Sequence, residues 1–165
     1  MNLVCLDTQI LIWGVKGQAS SGQEGMIPKA KSFLRYLDKS GIRSLVPAIV
    51  LAELLMPIPP HSRQAFSEFM QKNFIVLPFD TKAAVHFAEI WQSKKEQQVI
   101  DELMQNPEIA KAHLKADCMI VAIALARGAS CIYSHDEDVQ RFGEGYIEVR
   151  EMFDIYEQLE LPDDE

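Results

Sequence analysis

Short apolar runs alternate with longer stretches of helical periodicity along this chain. Residues 2–6 are apolar and β-capable and stop at Asp7-Thr8; residues 42–46, 74–77, 130–133 and 146–149 repeat that pattern. Runs of this length between turn formers predict buried strands. A helical pattern covers 9–15, and residues 17–25 (GQASSGQEG) form a polar loop, expected to be mobile. Pro28 opens the next helix, where its missing N–H costs nothing; Phe33, Leu34 and Leu37 give it a buried stripe and Gly41 closes it. Residues 47–56 predict an apolar helix stopped by Pro57, Pro59 and Pro60, and 61–73 an amphipathic one with Phe66, Phe69 and Met70 inward. Asp80-Thr81 caps a helix carrying Val85, Ala88, Ile90 and Trp91. Residues 93–105 are charged and helix-prone, read as a solvated helix. Asn106-Pro107-Glu108 is a cap signal for a long helix to Arg127, ended by Gly128, and a final helix is expected over 152–159. Strands separated by helices mean βαβ crossovers, hence an α/β fold with a mostly parallel sheet covered on both faces.

Composition narrows the class without changing that picture. The 165 residues are 48% hydrophobic and 24% charged, which suits one globular domain. The longest apolar stretch, 118–126, is far short of the roughly 20 residues that span a bilayer, so no membrane association is expected. The N-terminus has no basic region and meets Asp7 at once, unlike a secretory leader. Cys5, Cys118 and Cys131 sit in apolar surroundings without CxxC spacing, as expected of core thiols in a reducing cytoplasm. His61, His86, His113 and His135 are scattered, which argues against zinc.

Charge is distributed unevenly. Residues 143–165 hold nine acids against one base, Arg150, and so carry the whole net charge of −8. The 15 basic and 15 acidic residues before them cancel. The acidic pI therefore does not exclude a nucleic acid, because the acidity belongs to a solvated tail.

Several carboxylates stand where burial is expected. Asp7 ends the first strand, where a helix N-cap would also explain it. Glu53 lies in AIVLAELLM and Asp117 begins DCMIVAIALA; both are surrounded by apolar turns without a Lys or Arg three or four positions away. Unpaired carboxylates cannot stay charged in such surroundings, so they either reach a cleft or meet a cation. Asp136 and Asp138 follow the fourth strand. In parallel sheets ligands bind beyond the carboxyl ends of the strands, where Asp7 and Asp136 lie. If strands one and four are neighbours, four acids converge, and a hard divalent cation such as Mg²⁺ or Mn²⁺ would relieve their repulsion. Carboxylate-held metals of this kind serve phosphodiester cleavage. Without those four acids, residues 1–142 keep 15 bases against 11 acids, enough to hold a short nucleic acid.

These residues resemble the PIN-domain nucleases, which include VapC-type toxins of toxin–antitoxin pairs. The resemblance rests on Asp7-Thr8 after the first strand, Glu53 in the apolar helix, Ala116-Asp117 opening an alanine-rich helix that ends Ala126-Arg127-Gly128, and Ser134-His135-Asp136-Glu137-Asp138 after a strand. It implies a three-layer α/β/α sandwich on a five-stranded sheet over residues 1–150. Residues 151–165 would add a C-terminal helix and acidic tail to the same domain. It implies a metal-dependent endoribonuclease cutting single-stranded RNA, with Asp7, Glu53, Asp117 and Asp136 catalytic and holding Mg²⁺ or Mn²⁺. Asp138 matches a less regular metal position, and Thr8 and Ser134 match small hydroxyls that support the acids. A homodimer and an antitoxin protein are the implied partners. Two departures stand out: His135 occupies a position often Asn or basic, read here as a local hydrogen-bonding residue, and Val139 follows the last acids where Phe is usual.

Two other readings compete. One is a PIN-like module that binds RNA or protein without cutting. The other is a phosphatase with Asp7 as nucleophile, which the lack of a second Asp two residues on disfavours. Trp13 and Trp91 could stack on bases; for Trp91 the core is the expected place.

Overall fold

A computed structural model describes residues 2–155. Strands β1 (Leu3–Leu6), β2 (Arg43–Pro47), β3 (Ile75–Leu77), β4 (Cys131–Tyr133) and β5 (Val149–Arg150) form one sheet in the order β3-β2-β1-β4-β5. Every pairing is parallel. Val4, Cys5, Leu6, Cys131 and Ile132 are buried, as a sheet covered on both faces requires.

The helices are α1 (Thr8–Leu11), α2 (Met26–Lys39), α3 (Ala48–Leu55), α4 (Arg63–Asn73), α5 (Thr81–Glu96), α6 (Val99–Met104), α7 (Lys111–Ala126) and α8 (Glu137–Gly143). Right-handed crossovers put the helices between β1 and β3 on one face and those after β3 on the other, giving three layers. On the second face α7 packs between α5 and α8. Cys118, Ile120, Val121, Ala122, Ile123 and Ala124 of α7 are all essentially inaccessible, so it is the helix most enclosed by the core. The chain turns one way from β1 and re-enters on its other side at β4. The β1–β4 crevice is thus the topological switch point of the sheet.

Several local expectations need correction. The first helix is α-helical for one turn and then widens into a π-helical turn, Ile12–Lys16. There a side chain at Gly14 would bring a Cβ within 2.6 Å of Leu34 Cδ1, so glycine is what lets this turn lie against α2. Asn106-Pro107-Glu108 does not start α7: Asn106 Oδ1 accepts from Glu108 N at 3.1 Å, closing a turn, and the helix begins at Lys111. Residues 93–105 are not one solvated helix. Gln98 adopts φ +64° and divides α5 from α6, Val99 and Ile100 face the core, and Lys94 is buried with its Nζ donating to Glu144 O at 2.8 Å. The fifth strand starts later than expected, because Tyr146 and Ile147 donate backwards to Gly143 O. Residues 152–154 are not helical; the rest of the expected C-terminal helix, and most of the acidic tail, lies outside the described residues.

Trp91 lies between Phe87 and Phe142, with near-parallel rings. Cys5, Cys118 and Cys131 are free and buried. No helix among the described residues is long and apolar enough to cross a membrane.

Candidate metal centre

The β1–β4 register assembles the centre. Leu6 pairs with Tyr133, and Asp7 N donates to Tyr133 O at 3.1 Å, so Asp7 and Ser134 leave the sheet side by side. Asp7 is 6% exposed, and both its oxygens are occupied. Thr8 N donates to Oδ1 at 2.7 Å, and buried Ser134 Oγ donates to Oδ2 at 2.6 Å. Asp7 therefore caps α1 and faces the crevice at once. Ser134 Oγ also accepts from Asp136 N at 3.0 Å, tying the two strand-end acids through one hydroxyl. Asp136 Oδ1 accepts from Asp138 N at 2.8 Å, which caps α8 and folds Asp138 back toward the crevice.

Two helices complete it. α7 delivers Asp117, and α3 delivers Glu53, whose Oε2 accepts from Thr8 Oγ1 at 2.7 Å. Asp117, Asp136 and Asp138 can each place an oxygen within 4.8 Å of the others. Asp7 and Glu53 line the same crevice outside that trio. The expectation that Glu53 is buried is overturned: it is exposed, because α3 turns Val50, Leu51 and Leu54 to the core and Ala52, Glu53 and Met56 outward. Asp117 is partly buried and Asp136 exposed.

Electrostatics follow from this crowding. Burial pushes the Asp117 carboxyl up to about 8, and the charges of Asp136, Asp7, Asp138 and Glu53 push the same way. Burial also raises Asp7, opposed by the Ser134 and Thr8 donors and reinforced by Asp136 and Glu53. Asp138 is raised by burial, then by Asp136 and Glu137, with Arg141 opposing. The charges acting on Asp117 and Asp7 are thus all negative. An oxygen-rich set whose excess negative charge only Arg141, acting on Asp138, partly offsets fits a hard divalent ion, and a thiophilic or imidazole-seeking metal would find no ligand in the trio.

His135 behaves as a local residue: its Nε2 accepts from Met152 N at 3.1 Å, and its ring meets Trp13 edge-on at 5.4 Å. Burial holds the His135 imidazole below its ordinary range. Trp13 is 3% exposed, and its Nε1 is buried without a hydrogen-bond partner among the described residues. Sequence reasoning did not single out Gln9, Gln23, Met56 or Ile109, which also line the crevice, and read Pro57 only as the helix stop on the Glu53 face. Met56 and Pro57 lie three and four positions after Glu53, a spacing that puts them on its helix face and could have revealed both as crevice lining.

The model of the PIN domain matches residues 4–145. The chain belongs to the PIN-domain family. No curated protein matches this PIN domain significantly. Its fold is similar to that of VapBC2 from Rickettsia felis bound to a fragment of promoter DNA, with TM-score 0.64 and 15% identity over 92% of this chain and 99% of that one. DNA-bound VapBC from Salmonella typhimurium aligns with TM-score 0.61 and 19% identity, covering 93% of this chain and 100% of that one. VapBC-1 from nontypeable Haemophilus influenzae gives TM-score 0.61 and 16% identity over 91% and 98%.

Proposed function

We propose that this PIN domain is a Mg²⁺- or Mn²⁺-dependent endoribonuclease that hydrolyses phosphodiester bonds of single-stranded RNA. The observation that carries the reading is the Asp117–Asp136–Asp138 trio at the switch point, surrounded by further acids. Asp117, Asp136 and Asp138 would hold the ion, with Asp7 and Glu53 completing the set. A divalent ion held there would polarise the phosphate and lower the pKa of attacking water. The chain's own residues supply the order. Ser134 and the Thr8 N–H fix both oxygens of Asp7, Thr8 Oγ1 fixes Glu53, and the turn from Asp136 to Asp138 holds those carboxylates in register. Preorganised acceptors of this kind lose little entropy when substrate arrives.

The structures it resembles are toxin–antitoxin complexes, and on that analogy we assign this chain the toxin role, dimeric and restrained by an antitoxin protein in the cytoplasm. The test is cleavage of end-labelled single-stranded RNA by purified protein. Products are expected with Mn²⁺ or Mg²⁺, none with a chelator, and none from Asp7→Asn. Tight RNA binding without products in either metal would instead establish the non-cutting module. Cleavage that persists in the chelator would remove the metal from the reading.

A further inference from the structure

The acid trio has two unlike walls. On one side the crevice, about 610 Å³, continues past the polar Gln9, Gln23, His135 and Glu137, with Ile12 and the mostly buried Trp13 also lining it. On the other it opens into about 840 Å³ bounded by Met56, Pro57, Ile109, His113 and Ala116. The two spaces share Thr8, Ile12, Glu53, Asp117, Asp136 and Asp138, so a ligand on the acids lies between both walls. Met56 is 74% exposed, the most exposed of the large apolar side chains described. The loop that carries it is pinned, since Arg63 Nε donates to Ile58 O at 3.0 Å. His113 is exposed in the first turn of α7, one turn before Asp117. An apolar shelf beside a cluster of carboxylates is a poor place for a cation or a phosphate, and a good one for a flat, weakly polar ring.

We propose that Met56, Pro57, Ile109 and His113 form a nucleobase subsite. It would take the base of the nucleotide next to the scissile phosphate and leave the sugar–phosphate chain to the glutamine side. The inference rests on the ribonuclease reading above and adds the direction in which the strand lies. Single-stranded RNA offers splayed bases to such surfaces, and imidazole and thioether groups pack on base faces without demanding a sequence. A 840 Å³ space exceeds what one base needs, so the shelf selects for a ring more than for its identity.

The experiment compares wild type with Met56→Ala/His113→Ala on short oligoribonucleotides. The cut is mapped first, and the base beside it is then removed to leave an abasic nucleotide on either side. The abasic substrate on one side is expected to raise the wild-type KM about tenfold with kcat nearly unchanged. The double variant should show the same rise on intact RNA and no further penalty on the abasic one, and His113→Phe should restore the lower KM. Unchanged KM in the double variant, or penalties that add independently, would overturn the subsite while leaving the ribonuclease reading intact. A wild type that neither cuts nor binds RNA in Mn²⁺ or Mg²⁺ sinks both. Conversion of a dimer to a monomer by Met56→Ala, seen by light scattering, would mean that a second copy covers the shelf and would also overturn it.

Discussion

Helix α7 meets carboxylates near its middle and at its C-terminal cap, and the two places treat them oppositely. At its C-terminal cap Arg127 Nη2 donates to Asp80 Oδ2 at 2.5 Å. Asp80 Oδ1 accepts from Ala83 N at 2.9 Å, capping α5. The Ala83 N–H, with Arg127 beside it, holds the Asp80 carboxyl below its ordinary range. Near the middle of the helix Asp117 meets burial and four further acids, and rises to about 8. The chain thus pairs an acid where its job is to close a helix, and leaves acids unbalanced at the carboxyl edge of the sheet. Unrelieved charge in one place and relieved charge in another is what separates a site from scaffold.

The sharpest way to break this contrast is to remove the acid at each place. Asp117→Asn should reduce cleavage by at least about a hundredfold, the upper range for losing even an outer-shell partner of a metal. In chelator at neutral pH the same variant should be more stable than wild type by about 2 kcal/mol, because folding no longer forces a carboxyl that is ionised in the unfolded chain to take up a proton. Cleavage assays and urea melts read the two effects. A variant that loses both activity and stability would make Asp117 structural.

The second effect is on pH. Asp117 binds its proton more tightly folded than unfolded, so its contribution to stability is complete below the unfolded value near 3.8 and is lost as pH rises toward about 8. Asp80 has the reverse sign: its contribution is present above its unfolded value and disappears as pH falls through its depressed folded one. Melting temperatures from pH 2 to 9 in chelator should flatten between about pH 4 and 8 in Asp117→Asn. They should flatten only below about pH 4 in Asp80→Asn. A metal must displace the Asp117 proton, so Mn²⁺ affinity should climb up to about tenfold per pH unit until about 8. A pH-independent affinity would show that Asp117 is not a ligand.

Asp80→Ala is a smaller perturbation. It removes a cap and the Arg127 contact together, and should lower the melting temperature by a few degrees with cleavage rate and Mn²⁺ affinity unchanged. Loss of cleavage in this variant would join the two places on α7 functionally and erase the contrast.

Much of this arrangement was legible in the sequence. Four of the five strands stood out because a doubly covered strand is a short apolar run between turn formers, as at β1 and β4, whereas β5 overlaps its expected run only at Val149. Asp117 stood out because nothing near it in the helix could pair with it. Glu53 was found for the wrong reason. An apolar helix reads as buried all round, yet Met56 and its neighbours are apolar because they line a crevice, and one-dimensional patterning cannot tell a binding wall from a core wall. Lys94 was misread because its stem can be buried while a carbonyl fifty residues away takes its charge. The close grouping of Asp138 with Asp117 came from the Asp136 turn, a matter of backbone geometry that composition does not encode.

The smallest expected effect lies at an ion pair that is neither buried nor crowded. Arg141 Nη2 donates to Glu102 Oε2 at 2.8 Å, with side chains 38% and 56% exposed. Water screens both partners and ordering them costs entropy, so Glu102→Gln should change stability by no more than about 0.5 kcal/mol. Arg141 is also the positive charge that acts on Asp138. Freed from Glu102, it would favour the Asp138 carboxylate slightly, so Mn²⁺ affinity measured by calorimetry should stay within about twofold, a shift below ~0.5 kcal/mol. A loss well beyond that would show that Glu102 aims Arg141 for the crevice, and that the boundary between scaffold charge and site charge runs through α8 rather than along α7.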